Sequence, residues 1–213
     1  MPGSRSLEID MVLQLAIFDL GNVLFEAHLE KAVRTWSRLS GIDDNLIRSR
    51  FVFNENVEKF ERGEIKATDF FAALDAQLGL GLSYEEMMEG WNSIFGPVLH
   101  QNYQAICTIA TKIRVVALTN TNSIHYPLWT SFYENELRVF ERIYVSSELG
   151  MRKPEPRLFH HVLKDCGVLP ARAIVFDDYK DTIDMARELG MQAVLIDDIS
   201  ALPKWLNEQR WRE

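Results

Sequence analysis

The sequence predicts an α/β fold, a doubly wound parallel sheet with a helical cap inserted after its first strand, and three observations carry that expectation. Short β-favouring apolar runs recur along the chain, each ending on polar residues. From about residue 101 these runs alternate with helical patterns, the order of βαβ units. Between the first run and the second, residues 28–98 carry helical periodicity and no good strand candidate.

The first run, residues 12–18 (VLQLAIF), stops at Asp19 before Gly21-Asn22, as a buried strand running into a turn does. Residues 29–39 then put Leu29, Ala32, Val33, Trp36 and Leu39 on one helical face, closed by Ser40-Gly41. Residues 65–78, with Thr68 and Asp69 near their start, read as a helix. Residues 84–95 do too, with Ser83 as N-cap and Glu86 completing a capping box. Four or five helices in this stretch would lie over the C-terminal edge of the sheet, where open α/β folds bind ligands, as a lid does. Strand-like runs follow at 113–118, 143–145, 173–176 and 193–196, with helices at 123–133, 154–165 and 181–189 between them. Right-handed crossovers then build a Rossmann-like core. The expected division is 10–27 with 99–213 as core and 28–98 as helical cap. The tail 203–213, holding Trp205, Leu206 and Trp211 among charges, reads as a packed terminal helix or a dimer contact.

Composition excludes several classes. The 213 residues carry 23 Lys plus Arg against 31 Asp plus Glu, a net charge of −8 that argues against nucleic acid as partner. With 47% hydrophobic and 25% charged residues the balance is that of a soluble globular chain. Cys107 and Cys166 form no CxxC pair, so neither a disulfide scaffold nor a zinc site is expected. MPGSRSLEIDM lacks an apolar signal core, and no stretch approaches the roughly 20 apolar residues that span a bilayer. A cytoplasmic protein with no membrane partner, monomer or homodimer, is expected.

Parallel strands deliver their C-terminal polar residues to one crevice. Here these are Asp19 with Gly21 and Asn22, then Thr119 and Asn120, then Lys153, then Asp177 and Asp178. Acidic positions, a cation and a hydroxyl–amide pair at one edge suit a divalent metal and a phosphoryl group. Each residue also has a plainer reading. Asp19 could cap a turn, Lys153-Pro154 could be a solvated loop, 119–122 could be a polar turn capped by Asn122 or Ser123, and Asp177-Asp178 could face a helix dipole. His125 reads as a structural hydrogen bonder or as a proton donor or sugar ligand, and His160 and His161 as surface or packing residues. Glu61-Arg62-Gly63 reads as an interhelical turn, and Trp91 as core or a sugar-stacking face.

On FDLGNV with Asp19, ALTN with Thr119, GMRKPEP with Lys153 and VFDDYKD with Asp178, in that order across nearly the whole chain, the sequence resembles the haloacid dehalogenase (HAD) superfamily of hydrolases. Most of its members are Mg²⁺-dependent phosphatases. The wording is most similar to sugar-phosphate phosphatases of the α-D-glucose-1-phosphate type, and more distantly to the phosphatase domain of soluble epoxide hydrolase. The resemblance implies that Asp19 is a nucleophile forming an aspartyl-phosphate and that Lys153 stabilises the developing charge. It implies Mg²⁺ held by Asp19, the Gly21 carbonyl and Asp178, with Gly21, Asn22, Thr119, Asn120 and Lys153 around the phosphate. Asp177 and Asp181 would orient Lys153 or metal-bound water. The implied activity is a phosphomonoesterase acting on a small phosphorylated metabolite, a sugar phosphate such as glucose 1-phosphate. One departure stands out: most phosphatases of the superfamily carry a second Asp two residues after the nucleophile, and here that position is Gly21. Acid–base help worth roughly 100- to 10,000-fold is absent there. The glucose-1-phosphate type shares the Gly-Asn pair, and an anomeric leaving group needs less protonation. Alternatives are a 2-haloacid dehalogenase-type hydrolase, against which the acidic pair counts, and a phosphomutase, against which Gly21 counts. A catalytically weakened phosphate-binding protein of the same fold is the third.

Overall fold

A computed structural model describes residues 12–209; the expectations for 1–11, and for Trp211 within 210–213, lie outside the described residues. Strand β1 (Leu15–Phe18) opens the fold and is followed by the short β2 (Phe25–Ala27). Helices α1 (Leu29–Ser40), α2 (Asp44–Arg50), α3 (Glu55–Glu61), α4 (Ala67–Leu78) and α5 (Tyr84–Asn92) come next, then β3 (Phe95–Val98). The remainder runs α6 (His100–Ala110), β4 (Arg114–Thr119), α7 (His125–Phe132), α8 (Glu134–Leu137), β5 (Arg142–Val145) and α9 (Ser146–Leu149). It ends with α10 (Pro156–Cys166), a 3₁₀ turn at Pro170–Arg172, β6 (Ala173–Asp177), α11 (Lys180–Glu188), β7 (Gln192–Leu195) and α12 (Ala201–Glu208).

The five-stranded sheet has the order β5-β4-β1-β6-β7, and each pairing in it is parallel. The order reverses at β1, which lies between β4 and β6, so the crevice of an open α/β sheet falls at the C-terminal end of β1. All four residues of β1 are fully buried, because a central parallel strand has a covered face on either side. Alternation splits them: Ala16 and Phe18 enter one apolar cluster with Phe176 and Trp129, while Leu15 and Ile17 enter another with Phe159 and Val175.

A third cluster, built on Trp36, Phe60, Phe70, Phe71 and Trp91, belongs to α1–α5. Local signals delimit these helices. Asp43 and Asn54 accept main-chain N–H bonds as N-caps of α2 and α3, Ser83 and Glu86 form the expected capping box, and Gly41 closes α1 in the left-handed region at φ 72°.

The expectation of no strand in 28–98 is corrected by β3, which pairs antiparallel with β2. Helix α5 stops at Asn92, short of the expected residue 95, because Phe95 has been drawn into this ribbon. FGPV lacks a strand's composition; Gly96 and Pro97 fit only at an edge, and the pairing rather than the propensity holds the strand. The ribbon is where the chain leaves the sheet for the helices and returns, and the expected cut between 27 and 28 and between 98 and 99 leaves its two strands on opposite sides.

Candidate active site

Asp19 follows β1 directly, and its main-chain N–H is held by the Phe176 carbonyl of β6 at 2.9 Å. Its Oδ1 accepts the Leu20 N–H at 2.7 Å and lies 2.9 Å from Lys153 Nζ. The ammonium also donates to Asp177 Oδ2 at 2.6 Å, with side chains 4% and 1% exposed for Lys153 and Asp177. The other oxygen of Asp177 accepts the Tyr179 N–H at 2.8 Å, so both ends of this carboxylate serve to aim Lys153. Asp178 instead meets Asn22, whose Nδ2 donates to Asp178 Oδ2 at 2.9 Å. Adjacent residues at a strand end project to opposite sides, which separates the two roles.

The site thus brings together Asp19, Gly21, Asn22, Thr119, Asn120, Lys153, Asp177 and Asp178, but two of these side chains face the protein. Asn22 sits at φ 54°, a left-handed conformation that asparagine tolerates, and its Oδ1 accepts the Ala27 N–H at 3.0 Å. Asn120 donates Nδ2 to the Lys153 carbonyl at 3.0 Å and accepts the Lys153 N–H at 2.8 Å. Any contact from Asn120 to a ligand would therefore come from its main chain. Thr119, buried at the end of β4, lines a cavity of about 100 Å³ with Asp19, Gly21 and Asn120, walled by Phe95 and Trp129. A roomier cleft of about 800 Å³ lies at the opposite edge of the sheet, around Leu13, Lys112 and the Arg114–Glu141 ion pair, far from these residues.

Charge is unbalanced here. Burial alone would depress an ammonium, but Asp177 and Asp19 reverse this and hold Lys153 well above the usual lysine range. Burial raises Asp177 above the usual carboxylate range, with Lys153 pulling it down and the Asp19 charge adding to the rise. Asp178 is raised by burial and by Asp19, against the Asn22 bond. One oxygen each of Asp19, Asp177 and Asp178 lies within 4.8 Å of the others. Three carboxylates around one ammonium leave surplus negative charge on oxygen donors alone, a set that fits a hard divalent cation.

His125 is buried. Its Nε2 donates to the Trp91 carbonyl at 2.9 Å, Nδ1 accepts from Asn122 at 3.3 Å, and the ring stacks 5.0 Å from Trp91. These bonds make it a structural link between α7 and α5, the plainer of its two readings. Trp91 itself packs among Trp36, Phe70 and His125. Asp181 is exposed in the first turn of α11, where a carboxylate complements the helix dipole.

No reading of Arg152 came from the sequence, and Glu61 read there only as part of an interhelical turn. Arg152 Nε donates to Glu61 Oε2 at 2.8 Å, linking the end of α3 to the residue beside Lys153. The signal available was the position of Arg152 inside GMRKPEP.

Comparison with known proteins adds to this geometry. A family model described as haloacid dehalogenase-like hydrolase matches residues 13–190. The D-ribitol-5-phosphate phosphatase of Bacteroides thetaiotaomicron is 26% identical over 181 residues, spanning 83% of this chain and 88% of that protein. A sesquiterpene phosphatase of Aspergillus oryzae is 29% identical over 186 residues, spanning 86% and 89%. Among solved structures, a HAD family enzyme of B. thetaiotaomicron in complex with magnesium and inorganic phosphate superposes with a TM-score of 0.72. It is 25% identical and covers 86% of this chain and 93% of its own.

Proposed function

This chain belongs to the haloacid dehalogenase-like hydrolases, and on that premise we propose that it is a Mg²⁺-dependent phosphomonoesterase of small phosphorylated metabolites, sugar phosphates such as glucose 1-phosphate among them. The observation that carries the reading is the set of Asp19, Asp177 and Asp178 around Lys153 at the switch point of the sheet. The relatives that act on ribitol 5-phosphate and on sesquiterpene phosphates support a phosphorylated substrate. Cytoplasmic action is part of the same proposal; no helix among the described residues is long and apolar enough to cross a membrane.

Asp19 is the nucleophile. Its carboxylate attacks phosphorus, and water then hydrolyses the aspartyl-phosphate, dividing one hard displacement into two. Lys153, held against Asp19 Oδ1, offsets the repulsion between the carboxylate and the phosphate dianion, and Asp177 holds that ammonium charged and in place. Asp19, Asp178 and the Gly21 carbonyl would hold Mg²⁺, which when bound neutralises phosphate charge and orients the phosphoryl group. The Thr119 hydroxyl hydrogen-bonds a phosphoryl oxygen from the wall of the cavity. Residues 28–98 act as a cap that excludes bulk water, strengthening each of these charges.

The test is phosphate release from glucose 1-phosphate, glucose 6-phosphate and p-nitrophenyl phosphate, with Mg²⁺ and with EDTA, for wild type and Asp19→Asn. Metal-dependent release that Asp19→Asn reduces to background is expected; no release from the panel, with chloride release from 2-haloacids, would overturn the reading. Independently of turnover, Mg²⁺ at 100 times its Kd should stabilise wild type by about 2.7 kcal/mol in a thermal melt. Asp178→Asn should lose most of that shift.

A further inference from the structure

The cavity beside Asp19 has a polar end and an apolar end. Among the described residues lining it, Asp19, Thr119, Asn120, Thr121 and Trp129 carry polar side-chain atoms. The Asn120 amide is taken up by the Lys153 main chain, and Trp129 Nε1 donates to Thr121 Oγ1 at 3.1 Å, which ties these three to the protein. The Asp19 carboxylate and the Thr119 hydroxyl are left for the phosphoryl group. Apart from Gly21, the rest of the lining is Phe25, Ala27, Ile94 and Phe95, supplied by the β2–β3 ribbon and the residue before β3.

The ribbon holds this apolar face inward. Alternation along β2 turns Phe25 and Ala27 to the cavity and Glu26 away from it. Glu26 Oε2 lies 3.7 Å from Lys31 Nζ, and a Cβ added at Gly96 would come within 2.5 Å of that ammonium and 2.7 Å of that carboxylate, so the charged pair covers the other face of the ribbon. Phe25 stacks on Tyr133 at 4.0 Å, Phe95 meets Phe25 edge-on at 5.9 Å and His125 at 4.9 Å, and the Tyr133 hydroxyl donates to the Gly96 carbonyl at 2.6 Å. A wall locked in this way has no polar group to turn inward. Gly21 adds no side chain of its own, and a Cβ there would meet Ala27 Cβ at 3.4 Å, so the position that could carry an acid is instead open space against Ala27.

The cavity, about 100 Å³, equals roughly three waters' share of liquid volume, room for a phosphoryl group and the first atoms of the alcohol esterified to it. Those atoms meet the ribbon, whose Ala27, Ile94 and Phe95 are its partly exposed cavity residues. A hydroxyl set against them would give up water and find no partner, whereas a methylene gains by leaving water. We propose that Ala27, Ile94 and Phe95 are specificity-determining residues that select monophosphate esters of apolar alcohols, alkyl or aryl, over those of polyols and sugars. The inference rests on the phosphatase reading above and ranks substrates within it.

The experiment compares kcat/KM in Mg²⁺ buffer for n-propyl phosphate and glycerol 3-phosphate, which share a carbon skeleton and differ in the hydroxyls of the alcohol. Glycerol is the better leaving group, so a preference for the propyl ester cannot arise from the leaving group. Wild type should favour propyl phosphate by about tenfold or more. Equal values, or a preference for glycerol 3-phosphate, would overturn the proposal. Ala27→Ser and Ile94→Thr each set a hydroxyl on the wall with little change in volume, and one or both should cut the ratio by about threefold or more. General damage to the site lowers both esters alike and leaves the ratio as it was; a ratio unchanged in both variants would show that the wall does not select and would also overturn the proposal. Wild type that hydrolyses neither ester, nor p-nitrophenyl phosphate, would instead defeat the phosphatase reading itself.

Discussion

The carboxamide of Asn120 closes a two-bond ring on the main chain of Lys153, Nδ2 to the carbonyl at 3.0 Å and Oδ1 to the N–H at 2.8 Å. The end of β4 thereby fixes the segment that presents the ammonium to Asp19 and Asp177. Asn120→Ala leaves both main-chain groups of Lys153 without these partners, at a cost of roughly 1–3 kcal/mol. With Lys153 less well aimed, kcat should fall about 10- to 100-fold while KM changes little, because its charge serves the transition state. Steady-state kinetics and urea melts on the same variant check both parts.

His125 makes stability depend on pH with a definite sign. Burial lowers it from 6.5 to about 4, and its bond to the Trp91 carbonyl only partly opposes this. The folded state thus keeps the ring neutral where the unfolded state takes up a proton. Its contribution is complete above pH 6.5 and is lost as pH falls from 6.5 toward 4, by roughly 3 kcal/mol in all. His125→Gln should be less stable than wild type at pH 7.5, yet its urea midpoint should fall less between pH 7.5 and 4.5. Parallel slopes for the two proteins would contradict this.

Gly90 has a packing role that composition does not reveal. A Cβ added there would overlap the indole of Trp36, which is fully buried and donates Nε1 to the Met87 carbonyl at 3.0 Å. Gly90→Ala should therefore cost about 1–3 kcal/mol despite the better helix propensity of alanine, and should lower Tm accordingly. Adding Trp36→Phe should recover part of the loss, and a double-mutant cycle measures how much.

The sequence by itself determined the sheet and the order of its chemistry. Strands buried on both faces must be continuous apolar runs, and polar residues at their ends must converge on one edge, so Asp19, Thr119, Lys153 and the Asp177-Asp178 pair were legible as neighbours. Tertiary structure alone decided what each of them faces. Asp177 and Asp178 are indistinguishable as text, and strand geometry turns one to Lys153 and the other to Asn22. Asn22 and Asn120 bond partners 156 and 33 residues away, beyond any local pattern, and so turn from ligand toward protein. The β2–β3 ribbon was illegible because its two short strands are held by pairing with each other. Glu61 looked like turn chemistry because its meaning depends on Arg152, 91 residues distant, and only the folded chain brings them to 2.8 Å. Periodicity reports which face of an element is buried; which long-range partner waits there is set by how the elements pack.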